Sequence, residues 1–202
     1  MIHLAVLAST KATDMQAIID AINAKKLNAK ISVVVSNKKD AYALERARKH
    51  GIDAVFVDSK GKERGEFAKE VDNVLHEYKI DLILLIGYMR ILSKWLVNKW
   101  KNKIINIHPS LLPAFAGGMD KDVHQEVLNA GVKVTGATLH FVAEDVDSGP
   151  IILQKKVAVE ENETIGTLKE KVQKAEQEII LRAIGLFDKG KIKLEGKKVI
   201  IK

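Results

Sequence analysis

Apolar and polar positions alternate in blocks along the first half of the chain. His3–Ala8, Ile31–Ser36, Ala54–Val57 and Leu82–Ile86 are short runs rich in Val, Ile and Leu, the pattern of strands buried on both faces. Between them the apolar residues fall at helical spacing: Met15, Ile18, Ile19 and Ile22, then Phe67, Val71, Val74, Leu75 and Tyr78. Asp40 is placed to cap a helix that ends near Gly51. Strands alternating with helices predict a doubly wound, mostly parallel α/β sheet.

The second half changes character. Lys103–Ile107 continues the strand pattern, but Lys133–Val142 and Pro150–Val159 are long extended segments joined by a loop around Ala143–Gly149. Residues 164–187 read as one long helix with Ile165, Leu168, Val172, Ala175 and Ile179 on one side, and the end of the chain reads as a hairpin turning at Glu195-Gly196. This predicts a mixed C-terminal half. No linker, repeat or low-complexity stretch divides the chain, so one domain over residues 1–202 is expected, in segments 1–100, 101–190 and 191–202.

Composition narrows the class. A chain that is 47% hydrophobic and 29% charged can bury an ordinary core. No apolar run approaches the ~18 residues of a membrane helix, and the N-terminus goes into a strand-like run without a basic leader, so a cytoplasmic protein without membrane partners is expected. Without cysteine there is no thiolate metal site and no cysteine nucleophile. The formal charge of +7 is uneven: residues 189–202 hold six lysines and one glutamate, which is +5 of it. Lysines without interleaved aromatics do not make a nucleic-acid platform. A mildly basic protein suits small polyanionic substrates.

All three prolines lie between positions 109 and 150, just after the Ile104–Ile107 strand, and open α/β sheets bind ligands at the carboxyl ends of their strands. Asn106 and His108 are two apart at that strand end, so both side chains leave one face while Ile107 points into the core. Pro109 stops the strand. An amide beside a protonatable ring is a donor pair for the oxyanion of a tetrahedral centre; a turn histidine satisfied by a nearby carbonyl is the plainer alternative. The loop Glu144-Asp145-Val146-Asp147-Ser148-Gly149-Pro150 is either a solvated turn or the source of a carboxylate that bonds His108, fixes its tautomer and raises its pKa. Spacing does not select which carboxylate. His140 alternates with Thr138 and Gly136 and either faces the site or serves structurally, a supporting role behind it being favoured, whereas His3, His50 and His76 read as surface groups. No histidine pair has metal-ligand spacing.

These segments carry a resemblance. Asn106-Ile107-His108-Pro109-Ser110-Leu111-Leu112-Pro113, then His140-Phe141-Val142, then Asp147-Ser148-Gly149-Pro150-Ile151-Ile152-Leu153-Gln154 resemble, in order and spacing, the folate-dependent formyltransferase family. Gly87-Tyr88-Met89-Arg90-Ile91-Leu92, Ser36-Asn37-Lys38-Lys39-Asp40-Ala41 and Leu44-Glu45-Arg46-Ala47 extend the likeness, which runs from about Met1 to Gly190. It implies a Rossmann-like formyltransferase fold, with 1–100 as the phosphate-binding half and 101–190 as the catalytic and folate half. It also implies Asn106, His108 and Asp147 as catalytic residues, and Arg64, Met89, Arg90, Ile91, Leu92 and Asn106 as folate contacts. Lys11, Ala12, Thr13, Asp14, Gln173 and Glu176 become contacts to an acceptor's phosphate and ribose. Gln173 and Glu176, three apart, share a helix edge.

The implied reaction moves a formyl group from 10-formyltetrahydrofolate, as cosubstrate, to the amine of glycinamide ribonucleotide in purine (IMP) synthesis, without a metal, in a monomer or homodimer. Formyl transfer to a tRNA implies a further C-terminal domain and formyl-folate hydrolysis an N-terminal regulatory one; the short tail and the start at the first strand favour neither. A non-catalytic nucleotide-binding module is disfavoured by the intact trio.

Two departures from the family pattern matter. Its phosphate loop has the form Ser-Gly-x-Gly-Ser-Asn, whereas Ser9-Thr10-Lys11-Ala12-Thr13-Asp14 has no glycine. A loop that opens a helix still offers N–H groups and a positive dipole end, with Lys11 adding charge. Ala12 predicts a less demanding backbone than the usual loop, and Asp14 is expected to turn away from the phosphate and cap the helix. The stretch from Ala114 to His124 is longer than the common form and is expected to be a mobile loop near the site.

Overall fold

The computed structural model describes residues 1–117 and 122–202. Its main sheet contains β1 (Ile2–Leu7), β2 (Ala29–Ser36), β3 (Asp53–Phe56), β4 (Leu82–Leu85), β5 (Ile104–His108), β6 (Val134–Phe141) and β7 (Ile151–Ala158) in the order β3-β2-β1-β4-β5-β6-β7. The first five strands run parallel, and β6 and β7 add antiparallel. The fold is therefore α/β, doubly wound and mostly parallel, with a mixed second half. Strand order reverses beside β1, which lies between β2 and β4, so the crevice at their carboxyl ends is the natural ligand position.

The alternation within β1 explains the two cores. Leu4, Val6 and Ala8 face one apolar cluster, and Ala5 and Leu7 face the other. The first is covered by α1 (Thr13–Asn23), α2 (Tyr42–Lys49) and α6 (Ile165–Asp188), with Val123 and Val127 of α5 (Val123–Asn129). The second is covered by α3 (Arg64–His76) and α4 (Lys94–Lys99). Leu168, Val172, Ala175, Ile179 and Ile184 of α6 are buried, each large one contributing roughly 1.5–3 kcal/mol. Ile165, expected on the same side, is 37% exposed as the first residue of α6. Thr164 caps that turn by accepting from the Thr167 N–H at 3.2 Å.

Asp40 does not cap α2. The N-cap is Ala41, without a side-chain cap. Instead, the Ala43 N–H donates at 3.2 Å to the carbonyl of Thr10, in the loop after β1. A tertiary acceptor stands where a local one was expected.

The hairpin is present as β8 (Ile192–Glu195) and β9 (Lys198–Ile201), turning at Gly196 with φ 61°. Its Ile192, Leu194 and Val199 pack on the first core, which leaves the lysines in solvent. No described helix is long and apolar enough to cross a membrane.

Candidate active site

Four segments end at one cavity of about 670 Å³. They are the loop opening α1 (Thr10 to Asp14), the stretch after β4 (Gly87 to Leu92), the end of β5 (Asn106 to Pro109) and the β6–β7 loop (Ala143 to Asp147). Helix α6 supplies Lys169, Gln173 and Glu176 as a further wall. Every site residue expected from the sequence lines this cavity except Arg64. That residue opens α3 and borders an adjoining depression with Phe67, Tyr88, Ile91 and Leu92. Lys169 was missed, although its spacing to Gln173 and Glu176 puts all three along one helix face.

Strand register builds the centre. Asn106 pairs across the sheet with His140, and the Asn106 amide Nδ2 donates to His140 Nε2 at 3.2 Å. The other ring nitrogen of His140, Nδ1, is 2.9 Å from the Phe141 carbonyl. An amide has two N–H donors, so Asn106 keeps one for a ligand. His108 ends β5, with Nδ1 3.5 Å from Asp147 Oδ2; the other Asp147 oxygen is 3.6 Å from His140 Nε2. Asp147 is the carboxylate of the loop that reaches the histidine, and its backbone is left-handed, φ 54°. A non-glycine there costs on the order of 1 kcal/mol, a strain seen at positions that aim a functional group.

The segment after Pro113 touches both members of the pair. The His108 Nε2 lies 3.1 Å from the Phe115 carbonyl, and the Gly117 N–H donates to Asp147 Oδ2 at 2.9 Å. Residues 118–121 of the longer loop lie outside the described residues. With an acceptor on each ring nitrogen, only the imidazolium satisfies both. Burial opposes this: it pulls His108 below the ordinary histidine value, against Asp147 and the Phe115 carbonyl, which favour the charged form. The expected rise is thus a net fall, because desolvation outweighs the neighbouring charge. For Asp147, burial pushes the pKa up, but His140, the Gly117 N–H and His108 together hold it below the usual carboxylate value.

The opposite end of the cavity corrects two expectations. Ala12 is left-handed, φ 44° and ψ 57°, so the turn into α1 is as demanding as a glycine loop, and alanine carries the strain. Asp14 is not a cap. It sits in the first turn, 5% exposed, and lines the cavity. Burial raises its carboxyl to about 6, with Gln177 opposing. Glu176 is likewise pushed well above the ordinary value, by burial first and then by the charge of Asp14, with Lys169 opposing.

The loop opening α1 is clasped to the stretch after β4. Ser9 N–H donates to the Gly87 carbonyl at 2.9 Å, Thr10 Oγ1 donates to it at 3.3 Å, and Met89 N–H donates to Ser9 Oγ at 2.8 Å. Gly87, at φ 60°, would place a Cβ 2.3 Å from Thr10 Oγ1, so the close approach requires glycine. Among the described residues, no group of three His, Asp or Glu is arranged to hold a metal ion.

Comparison with known proteins places this geometry. Residues 2–184 match the family model described as formyl transferase. The human trifunctional purine biosynthetic protein adenosine-3 is 44% identical over 95% of this chain, which spans only 19% of that protein. The phosphoribosylglycinamide formyltransferase of Haemophilus influenzae is 38% identical over 96% of this chain and 91% of its own length. The crystal structure of glycinamide ribonucleotide transformylase 1 from Symbiobacterium toebii superposes with a TM-score of 0.94 at 41% identity, covering 100% of this chain and 94% of that one.

Proposed function

The chain belongs to the formyl transferase family, and from that premise we propose that it transfers a formyl group from 10-formyltetrahydrofolate to the amine of glycinamide ribonucleotide, a step of purine synthesis. One observation carries the reading: Asn106, His108 and Asp147 line the same cavity as the Met89–Leu92 stretch and the start of α1, with His108 Nδ1 3.5 Å from Asp147 Oδ2.

In this reading the folate lies along Met89, Arg90, Ile91 and Leu92, with Arg64 at the outer rim, and its formyl group reaches Asn106. The acceptor's phosphate takes the free N–H groups at the start of α1 beside Lys11, and its ribose meets Gln173 and Glu176. The amine attacks the formyl carbon to give a tetrahedral intermediate. The spare N–H of Asn106 and the His108 imidazolium donate to the oxyanion, with His108 Nε2 exchanging the Phe115 carbonyl for it. Asp147 favours the charged ring against burial and accepts from the water that carries the proton from the amine to the departing folate nitrogen. Collapse of the intermediate then breaks the C–N bond to folate and leaves the formyl group as an amide on the acceptor. Such an enzyme works in the cytoplasm on small molecules, as a monomer or homodimer.

A different acceptor has one observation in its favour, the two carboxyls Asp14 and Glu176 at the phosphate end. Incubating the pure protein with formyl-folate, with and without glycinamide ribonucleotide, decides. Formyl-glycinamide ribonucleotide appearing only with the acceptor is the expected result. Formate release independent of acceptor would make the protein a hydrolase, and neither product would overturn the reading.

A further inference from the structure

We propose that Asp14 and Glu176 act as a proton-holding carboxyl pair, and that binding of the phosphorylated acceptor draws a proton onto it; this rests on the acceptor assignment above. The geometry is specific. Asp14 is 95% buried by its 5% exposure, and its Oδ1 has no hydrogen-bond partner although it is shut from solvent. An ionised oxygen there carries charge with no donor to offset it, whereas the neutral acid carries none. Glu176, half-buried on the facing helix, lines the same cavity and feels the charge of Asp14. Two carboxyls in one desolvated place titrate as a unit, with one proton held strongly.

The surrounding charges set the sign. Lys11 stands on the loop before α1, Lys169 lies a helical turn before Gln173 on α6, and Asp122 and His124 face the cavity from the start of α5. Lys169 lowers the Glu176 pKa, and burial, with Lys169, lowers that of His124 against the pull of Asp122, so the neutral ring is favoured. A phosphate dianion brought to the start of α1 meets Asp14 within the same turn. Protonating the pair removes the repulsion and leaves an O–H donor; a neutral carboxyl has the shape and polarity of an amide.

Linkage makes this measurable. The free Asp14 carboxyl titrates near 6, and the bound dianion moves the pair's titration upward. The KM for the acceptor therefore rises with pH above about 6, by up to about tenfold per unit until the bound pair's own titration is reached. Ionisation of the acceptor's phosphate over the same range works the other way, since a dianion suits a helix start better than a monoanion. The KM for formyl-folate stays flat.

Calorimetry of wild type with glycinamide ribonucleotide at pH 7, in buffers of different ionisation enthalpy, should show uptake of close to one proton. Asp14→Asn should show none, and its acceptor KM should lose the upward trend. Glu176→Gln is the second variant should Asp14→Asn fold poorly. Wild type that transfers formyl groups yet takes up no proton would overturn this proposal alone, whereas absence of transfer at every pH would overturn the acceptor assignment. In that second case the pair is still tested by thermal unfolding. A raised carboxyl contributes stability below its unfolded pKa and loses it as pH rises through the folded one, so the Tm advantage of Asp14→Asn should grow from pH 5 to pH 8. A constant difference would show that the pair holds no proton.

Discussion

At His108 two influences oppose each other: burial favours the neutral ring, while the Asp147 carboxylate and the Phe115 carbonyl favour the charged one. In the proposed reaction the imidazolium is the active form, so turnover falls as pH rises through the His108 pKa. Replacing Asp147 with Asn removes one of the charge-favouring partners and moves that fall to lower pH. At neutral pH we expect a loss of roughly 10²–10³-fold in kcat with small change in either KM, and the ratio to wild type should widen with pH before levelling. Equal turnover of the variant and wild type across pH 5.5–8.5 would remove Asp147 from the mechanism. Asn106 and His108 are legible in the sequence because strand periodicity alone puts them on one face. Asp147 is not legible from periodicity, since a loop with Glu144 and Asp145 nearby offers several candidates; the resemblance names Asp147, and the structure brings its carboxylate 3.5 Å from His108. The state of Asp14 is equally invisible in sequence: the residue type says charged, while the burial that opposes it comes from α6, more than a hundred residues away.

At the scale of elements, the β6–β7 connection holds the site by tight backbone contact. A Cβ on Gly149 would come 1.7 Å from the Phe141 carbonyl oxygen and 2.8 Å from its carbon, so Gly149→Ala must push the loop away from β6. We expect a loss of about 2 kcal/mol or more in urea unfolding together with a large fall in kcat, because the displaced loop carries Asp147. An alanine variant with wild-type stability and turnover would show that the loop has slack. The outer face of the same loop is tied to α4, where Glu144 accepts from Asn98 at 2.9 Å and pairs with Lys94 at 2.9 Å. Strands and long helices are readable from periodicity because burial imposes it. The start of α2 is not, because its first turn is satisfied by Thr10 from another part of the chain, and Asp40 is bypassed.

For the whole molecule, the reversal of strand order beside β1 decides where substrates can meet. The basic tail plays no part in it: its lysines point to solvent from a hairpin whose apolar side rests on the core. In the proposed function one cavity receives both donor and acceptor, so both must be present together. Initial-rate plots should intersect when one substrate is varied at several levels of the other; parallel lines, the mark of a formyl-enzyme intermediate, would contradict direct transfer. The clasp formed by Ser9, Thr10, Gly87 and Met89 then acquires a thermodynamic meaning. It fastens the wall assigned to one substrate to the loop assigned to the other, so ordering either segment lowers the entropy still to be lost by its neighbour. Each substrate should tighten the binding of the other by an equal factor, a reciprocity written into four residues that form no bond to the group being transferred.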